Sequence, residues 1–169
     1  MKKKLIKVGI LGKTNAGKST LINSLVGEKI SIINKKINTT QELISGIVNI
    51  RDTQIILFDA PGSNFLQTST LLLKKYKTSI WEVIDKSDII IYLVDSTKLN
   101  FNDFLNDLKK ISEVNKKIIF VFNKIDLIKN KKILPYIEIL KKTNTLQDFF
   151  LVSAKNNKGV VELLNHIAS

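Results

Sequence analysis

Residues 12–19 contain the first group of amides and side chains that could perform chemistry. They read GKTNAGKS, a glycine-rich turn of the form G-x-x-x-x-G-K-S, between an apolar run at 5–11 and a helix-like segment from Lys18. Such a turn directs backbone N–H groups at the α- and β-phosphates of a nucleotide; its lysine reaches the β- and γ-phosphates and its serine binds Mg²⁺. The predicted phosphate loop comprises Gly12, Lys13, Thr14, Asn15, Ala16, Gly17, Lys18, Ser19 and Thr20.

A second motif, Asp59-Ala60-Pro61-Gly62, follows the apolar segment 55–58. A carboxylate at the carboxyl end of a buried strand, beside a phosphate loop, is placed to hold Mg²⁺, often through water. Gly62 lacks a Cβ, so its N–H can approach a γ-phosphate closely. The same residue types are common in ordinary turns. The position after the phosphate loop favours contact of Asp59, Ala60, Pro61 and Gly62 with a nucleotide.

Two further motifs follow later apolar segments and suit recognition of a purine base. In Asn123-Lys124-Ile125-Asp126, the Asp126 carboxylate can accept hydrogen bonds from the ring N1–H and the exocyclic amine of guanine, donors that adenine lacks in that geometry. Lys124 can lie over the base, and Asn123 can tie this loop to the phosphate loop. In Ser153-Ala154-Lys155, a backbone N–H could meet the guanine O6; a helix N-cap serine is the alternative interpretation.

Residues 28–43 form a candidate functional loop, because they show no clear periodicity and are long for a connection. Within this segment, Thr40 is the expected metal-binding threonine, and its neighbour Thr39 is the competing candidate. If the Thr40 hydroxyl joins the Mg²⁺ shell only when a γ-phosphate is bound, the segment is an order–disorder switch.

The remaining polar residues show no paired acid–base arrangement. Three carboxylates are interpreted as residues at the boundaries of strands and helices: Asp85, Asp88 and Asp95. His166, the only histidine, lies in the last predicted helix and receives no role.

Short apolar segments alternate with helix-like ones, which indicates an α/β sheet with crossover helices. The predicted strands are 4–11, 44–50, 53–59, 88–94, 117–122 and 148–152. The predicted helices are 18–26, 68–85, 102–114, 131–142 and 159–168, the first ending at Gly27. Only Arg51 and Asp52 separate the second and third strands, so these two must pair antiparallel. The other connections are expected to be right-handed parallel crossovers, with helices on both faces of a six-stranded sheet.

Composition restricts the class of protein. A chain of 169 residues suits one domain, its lack of cysteine excludes disulfides and thiolate zinc sites, and its apolar runs are too short to span a membrane. No signal peptide is recognisable, so we expect a cytoplasmic location. The net charge of +12 suggests an anionic partner, but Arg51 is the only arginine and the lysines are scattered. Solvated surface lysines and a polyanion-binding surface both remain open.

Taken in order, these motifs resemble those of the P-loop GTPases over nearly the whole chain. Segments 27–32 and 38–41, and the Asp-x-Pro-Gly element, are similar to the switch regions of the Era branch. The resemblance implies a three-layer Ras-like G domain with one antiparallel edge strand, GTP and GDP as ligands, and Mg²⁺-dependent GTP hydrolysis. It also implies a role in maturing the small ribosomal subunit, with 16S rRNA as partner.

The residue roles under this hypothesis divide into three sets. Those expected to act in catalysis are Lys18, Thr40 and Gly62. Those expected to hold Mg²⁺ are Ser19, Thr40 and Asp59. Asn15 matches the asparagine that helps relatives to bind K⁺, an ion that could replace an arginine finger, because Arg51 is predicted in a hairpin turn far from the phosphates.

The sequence departs from the Era pattern in three respects. Era-like proteins carry a C-terminal KH domain, whereas residues 1–169 contain no GxxG clamp, so we expect one Era-type G domain without a KH domain. Gln41 replaces an arginine, and Ser63 replaces a hydrophobic residue. A GTP-dependent binding module with vestigial hydrolysis, or the G domain of a tRNA-modification or other ribosome-assembly GTPase, therefore remains an alternative. A monomer is expected, and peripheral membrane contact stays open.

Overall fold

The computed structural model describes residues 4–28, 44–62, 71–143 and 148–169. Thr39, Thr40, Gln41 and Ser63, which figured in the sequence-based predictions, lie outside these ranges, as does most of the predicted loop 28–43.

Six strands form one sheet in the described part of the chain. They are β1 (Lys4–Gly12), β2 (Ile44–Ile50), β3 (Thr53–Asp59), β4 (Ile89–Asp95), β5 (Lys117–Asn123) and β6 (Asp148–Leu151). Their spatial order is β2-β3-β1-β4-β5-β6, and every neighbouring pair is parallel except β2 with β3. The predicted six-stranded sheet with one antiparallel edge strand is confirmed, because a two-residue turn permits only an antiparallel pair.

Five α-helices cover the two faces of the sheet. They are α1 (Lys18–Glu28), α2 (Leu71–Lys86), α3 (Phe101–Ser112), α4 (Leu134–Lys142) and α5 (Val160–Ala168). One core cluster contains buried residues of α1 and α5, and the other contains those of α2, α3 and α4. Within β4 and β5, alternate residues enter the two cores: Ile91 and Leu93 face α1 and α5, whereas Ile90 and Tyr92 face the other three helices. Both faces are buried, so these strands read as continuous apolar runs.

Three predicted helix boundaries are wrong by more than one residue, and one of them is the end of α3, which lies at Ser112 rather than at residue 114. Helix α1 does not stop at Gly27 but continues through it to Glu28; an exposed glycine costs a helix about 1 kcal/mol, which packing of the rest of α1 offsets. Helix α4 begins at Leu134 rather than at residue 131, because Asn130–Lys132 form a separate 3₁₀ turn. Pro135 occupies the first turn of α4, where its missing N–H removes no helical hydrogen bond.

The register of the parallel strands brings the functional segments to one edge of the sheet. Ile10 in β1 lies beside Asp59 at the end of β3, and Asp95 at the end of β4 lies beside Asn123 at the end of β5. The carboxyl edge of a parallel sheet is where ligands bind in open α/β folds. No helix in the described ranges is long and apolar enough to cross a membrane.

Candidate active site

The phosphate loop connects the end of β1 to the start of α1. Its turn is closed by the Ala16 N–H, which donates to the Lys13 carbonyl at 3.2 Å. Asn15 and Gly17 have φ angles of 64° and 100°, values that asparagine and glycine tolerate best. A Cβ on Gly17 would collide with the side-chain amide of Asn123. This position therefore requires glycine for both conformation and space.

The N-terminus of α1 is prepared for an anion. The first N–H groups of an α-helix have no intrahelical acceptor, and the helix dipole adds partial positive charge there. Helix α1 carries no acidic residue of its own in its first turn, so none of its own carboxylates compensates this charge. A phosphate is the ligand that such a helix start binds.

Lys18 is buried beneath the loop. Its ammonium donates to the carbonyl oxygens of Gly12 and Lys13, both at 3.4 Å. Burial lowers the pKa of Lys18, and the nearby Asp59 carboxylate partly offsets that effect. Two long hydrogen bonds to neutral carbonyls satisfy a buried cation poorly, and a polyphosphate would complete its coordination.

Asp59 and Ser19 form a pair of hard oxygen donors beside Lys18. The Ser19 hydroxyl donates to Asp59 Oδ2 across 3.5 Å. The other oxygen, Oδ1, is buried and has no hydrogen-bond partner among the described residues. Burial raises the pKa of Asp59, while Lys18 and the Ser19 hydroxyl act against that rise.

An orphaned carboxylate oxygen beside a hydroxyl fits Mg²⁺, which takes one or two carboxylates and completes its shell with phosphates and water. In the described ranges, no cluster of three acidic, histidine or cysteine side chains could hold a metal alone. Ser19 and Asp59 offer the donor types expected for Mg²⁺, and their role as its ligands stays a prediction.

The Asp59–Gly62 segment is fastened to the phosphate loop. The Ala60 N–H donates to the Ile10 carbonyl at 3.1 Å, and the Thr14 hydroxyl donates to the Gly62 carbonyl at 3.0 Å. A Cβ on Gly62 would lie 2.9 Å from the Lys18 ammonium and 3.1 Å from the Thr14 Cα. A side chain at this position would push against the loop and the Lys18 ammonium, so glycine suits this close approach of the backbone best.

Asn123 joins three loops with one buried side chain. Its amide nitrogen donates to the Ala16 carbonyl at 2.9 Å, and its amide oxygen accepts from the Ala154 N–H at 3.0 Å. The side chain that the sequence predicts as a tie does connect the segments 12–19, 123–126 and 153–155. Asp126 lies in the 3₁₀ turn Ile125–Leu127 and is exposed at the surface of this assembly.

Of the two interpretations of the Ser153–Lys155 segment, the helix N-cap is wrong. The N-cap of α5 is Gly159, so Ser153 is not a helix cap. The Ser153 N–H donates to the Lys158 carbonyl, and the Ala154 N–H is used by Asn123. The N–H of the exposed Lys155 therefore becomes the candidate donor to a base oxygen.

Asp95, which the sequence placed only at a strand boundary, lies beside the candidate site and contacts one of its predicted residues. Its Oδ2 lies 2.7 Å from the Lys124 ammonium, which also donates to the Asn15 carbonyl at 2.7 Å. The sequence feature that could have pointed to Asp95 is its position: it ends an apolar strand, and this strand ends at the same sheet edge as the recognised motifs.

Lys13 was predicted to contact nucleotide, but its side chain turns towards α3. Its ammonium lies 3.2 Å from Asp103 Oδ2 and 3.5 Å from Asp107 Oδ2. The Tyr92 hydroxyl donates to the same Asp107 oxygen at 2.6 Å, and burial, together with the Asp107 charge, raises the Tyr92 pKa. These residues line a cavity of about 200 Å³ between the phosphate loop and α3. The Lys13 carbonyl, which accepts from the Lys18 ammonium and the Ala16 N–H, is the part of this residue that lies in the phosphate loop.

The other predicted site residues are more exposed than Lys18 and Asn123. Thr20 is exposed on α1, Asn15 is exposed on the loop, and Pro61 is half-buried. Arg51 lies in the β2–β3 turn with φ of 50°, at the opposite end of β3 from Asp59. It contributes no charge to the phosphate site.

Comparison with known proteins identifies the family. A family model described as "50S ribosome-binding GTPase" matches residues 7–124. The chain belongs to this GTPase family. Among curated relatives, the GTPase Era of Rickettsia prowazekii (strain Madrid E) is 39% identical over 166 residues, covering 98% of this chain and 55% of that protein. The chain thus spans about half the length of the curated relatives it matches.

Solved structures give the same result for this GTPase. An Aquifex aeolicus Era variant bound to GDP·AlF₄⁻ is 34% identical, with a TM-score of 0.77 over 98% of this chain and 56% of that one. An Era in complex with MgGDPNP and nucleotides of 16S ribosomal RNA is 35% identical, with the same TM-score and coverage. The Ras-like G-domain fold expected from the motifs is therefore confirmed.

Proposed function

We propose that this chain binds GTP and hydrolyses it to GDP and phosphate as an Era-like GTPase. The observation that supports this most directly is Asn123, whose two hydrogen bonds unite the phosphate loop with two purine-facing loops. A nucleotide spanning these loops meets Lys18 with its phosphates and Asp126 with its base. The similarity to Era favours this proposal over the tRNA-modification alternative.

Selection of guanine falls to Asp126 and the Lys155 N–H. The exposed Asp126 carboxylate accepts from guanine N1–H and its amine, and the Lys155 N–H donates to O6. An adenine base leaves the carboxylate without donors and sets its own amine against the N–H. Discrimination of about 10⁴-fold is typical of sites built around such hydrogen bonds.

Hydrolysis requires positioning and charge neutralisation more than covalent catalysis. The loop amides and Lys18 bind the β- and γ-phosphates, and the Gly62 N–H approaches the γ-phosphate. Ser19 and Asp59 would hold Mg²⁺, with Thr40 as a third ligand that lies outside the described residues. The metal, when bound, neutralises charge on the bridging and terminal phosphate oxygens.

The rate and the monovalent ion also belong to the proposal. Without an arginine near the phosphates in the described part of the chain, intrinsic turnover should be slow, about 10⁻⁴–10⁻² s⁻¹. Potassium near Asn15 is the proposed substitute for the missing positive charge.

The proposed cellular role is maturation of the small ribosomal subunit. An Era structure contains 16S ribosomal RNA, and the net charge of +12 suits a polyanionic partner. The assignment of residues 1–169 to one G domain, the monomeric state and the cytoplasmic location all stay predictions.

The test is single-turnover GTP hydrolysis with Mg²⁺, first in KCl and then in NaCl, with ATP as the nucleotide control. We expect GTP-selective turnover that is faster in potassium. Equal hydrolysis rates in the two salts would refute the potassium site, and hydrolysis of ATP as fast as GTP would refute the selection of guanine.

Variants separate binding from chemistry. Lys18→Ala should abolish nucleotide binding, whereas Lys132→Ala, in an exposed turn, should not change it.

The Asp126→Asn variant should no longer bind GDP and should bind xanthosine diphosphate instead, because xanthine replaces the guanine amine with a carbonyl that the new amide can donate to. Tight GTP binding with turnover no faster than buffer would favour the vestigial-hydrolysis alternative.

A further inference from the structure

Asp95 and Lys124 form an ion pair beside the predicted base site. Asp95 ends β4 and lies in register with Asn123, the residue before Lys124. Lys124 has a left-handed backbone with φ of 64° and ψ of 33°, so the chain turns directly after β5. The turn brings the Lys124 ammonium to 2.7 Å from Asp95 Oδ2, across 29 positions of sequence.

The carboxylate of Asp95 is held from both sides. Its Oδ1 accepts from the Thr97 N–H at 2.9 Å and from the Thr97 hydroxyl at 2.6 Å, as the N-cap of a 3₁₀ turn at Ser96–Lys98. Its Oδ2 is thereby left for Lys124. The side chains of Asp95 and Lys124 are 9% and 30% exposed, so solvent screens this pair less than a surface pair.

Lys124 is also fixed at a second point. Its ammonium donates to the Asn15 carbonyl at 2.7 Å, which lies at the turn of the phosphate loop. With the carboxylate on one side and the carbonyl on the other, the ammonium is immobilised and its alkyl stem must cross between β5 and the loop. A stem in this position presents a flat apolar surface towards a base.

We propose that Asp95 is a positioning residue for guanine nucleotides: it holds Lys124 across the phosphate loop so that the lysine stem is preformed as a platform for the base. Asp95 acts through Lys124 and does not touch the nucleotide. The inference rests on the proposed function, since it needs a nucleotide in this site.

The arrangement makes a specific prediction about affinity and selectivity. Asp95→Asn has one oxygen and cannot accept from Thr97 and from Lys124 together. Loss of one charge-assisted hydrogen bond corresponds to about a 10- to 100-fold effect on an equilibrium. GDP affinity should fall by that factor through faster release, whereas the preference for guanine over adenine should persist because Asp126 is unchanged.

The experiment measures release of a fluorescent GDP analogue from the wild-type chain and from four variants. They are Asp95→Asn, Lys124→Met, the double variant and Asp88→Asn. Asp88 precedes the same strand at its opposite end, where its carboxylate accepts from the Lys7 N–H at 2.8 Å, and serves as the matched control. Thermal unfolding of each nucleotide-free variant separates lost positioning from lost folding.

A double-mutant cycle identifies the route of the effect. If Asp95 acts through Lys124, Asp95→Asn speeds release about 10- to 100-fold in the wild-type background and changes little once Lys124 is methionine. Additive effects, or release from Asp95→Asn as slow as from wild type, overturn the inference. Thr97→Val, which removes one donor and retains the charge, should accelerate release to a smaller extent and covers the case in which Asp95→Asn does not fold.

The two hypotheses fail differently. A wild-type chain that binds no guanine nucleotide refutes the proposed function and this inference with it. Tight wild-type binding with an unaffected Asp95→Asn variant refutes only the positioning role.

Discussion

Asn123 is the side chain whose removal should reveal most about how the site is assembled. It is 2% exposed, and both its partners, Ala16 and Ala154, are buried. Asn123→Ala deletes two hydrogen bonds and leaves one buried carbonyl and one buried N–H without a partner. Each such group costs about 1–3 kcal/mol. The free energy of unfolding should therefore fall by roughly 2–6 kcal/mol, which corresponds to about 4–24 °C in melting temperature for a domain of this size.

Asn123→Asp divides the two bonds. The carboxylate can still accept from the Ala154 N–H, but it faces the Ala16 carbonyl without a donor. Burial raises the pKa of an aspartate at such a position, so the folded state holds the proton more tightly than the unfolded chain does. The free energy of unfolding of this variant should consequently fall as the pH rises through the titration of the new carboxyl, whereas that of Asn123→Ala should not follow this trend.

The assay is urea unfolding of nucleotide-free protein, followed by circular dichroism from pH 5 to pH 8. Asn130→Ala is the matched control, because Asn130 is exposed in a 3₁₀ turn of the same region. A change below about 0.5 kcal/mol for Asn123→Ala, within the usual range of surface substitutions, would show that water replaces both hydrogen bonds and that Asn123 does not join the loops energetically.

Three further substitutions test other parts of the site, and Gly27→Ala serves as the control for the first of them. Gly17→Ala should cost about 1–2 kcal/mol from its left-handed backbone alone and weaken GDP binding in a fluorescence titration, whereas Gly27→Ala, in open space on α1, should stabilise the helix. Burial raises the pKa of Asp59, so metal-free stability should decline as pH rises above the ordinary aspartate range; Asp59→Asn should abolish that decline in urea titrations and the Mg²⁺ dependence of GTP affinity. Tyr92→Phe leaves Asp107 without its buried hydroxyl donor and should lower the free energy of unfolding by about 1–2 kcal/mol with GDP affinity unchanged.

Local patterns of the sequence were sufficient for most of the architecture. Strands β2 and β3 begin and end where their apolar runs do, and the Arg51-Asp52 turn dictated their antiparallel pairing. The errors lie at helix ends. Gly27 reads as a stop signal, yet α1 passes through it, because packing of the buried face outweighs a propensity cost of about 1 kcal/mol.

The recognised motifs were also predictable, because each keeps its chemistry in a few consecutive residues. The phosphate loop, Asp59, Asn123 and Asp126 follow apolar strands in a fixed order, and parallel strands must end at a common edge. The tie between Asn123 and the phosphate loop followed from that order and is present in the structure.

The sequence by itself thus determined the sheet and its one antiparallel strand, and it was enough to predict the residues for phosphate and guanine chemistry, since periodicity and short motifs are local properties. Only the tertiary structure decided that Asp95 anchors Lys124, and that Lys13 turns to Asp103 and Asp107 instead of towards the phosphates. These pairs join residues 29 and 90 or more positions apart. Such distant groups meet because of strand register and a left-handed turn, and no local pattern of charges specifies which lysine and which carboxylate will lie within hydrogen-bonding distance.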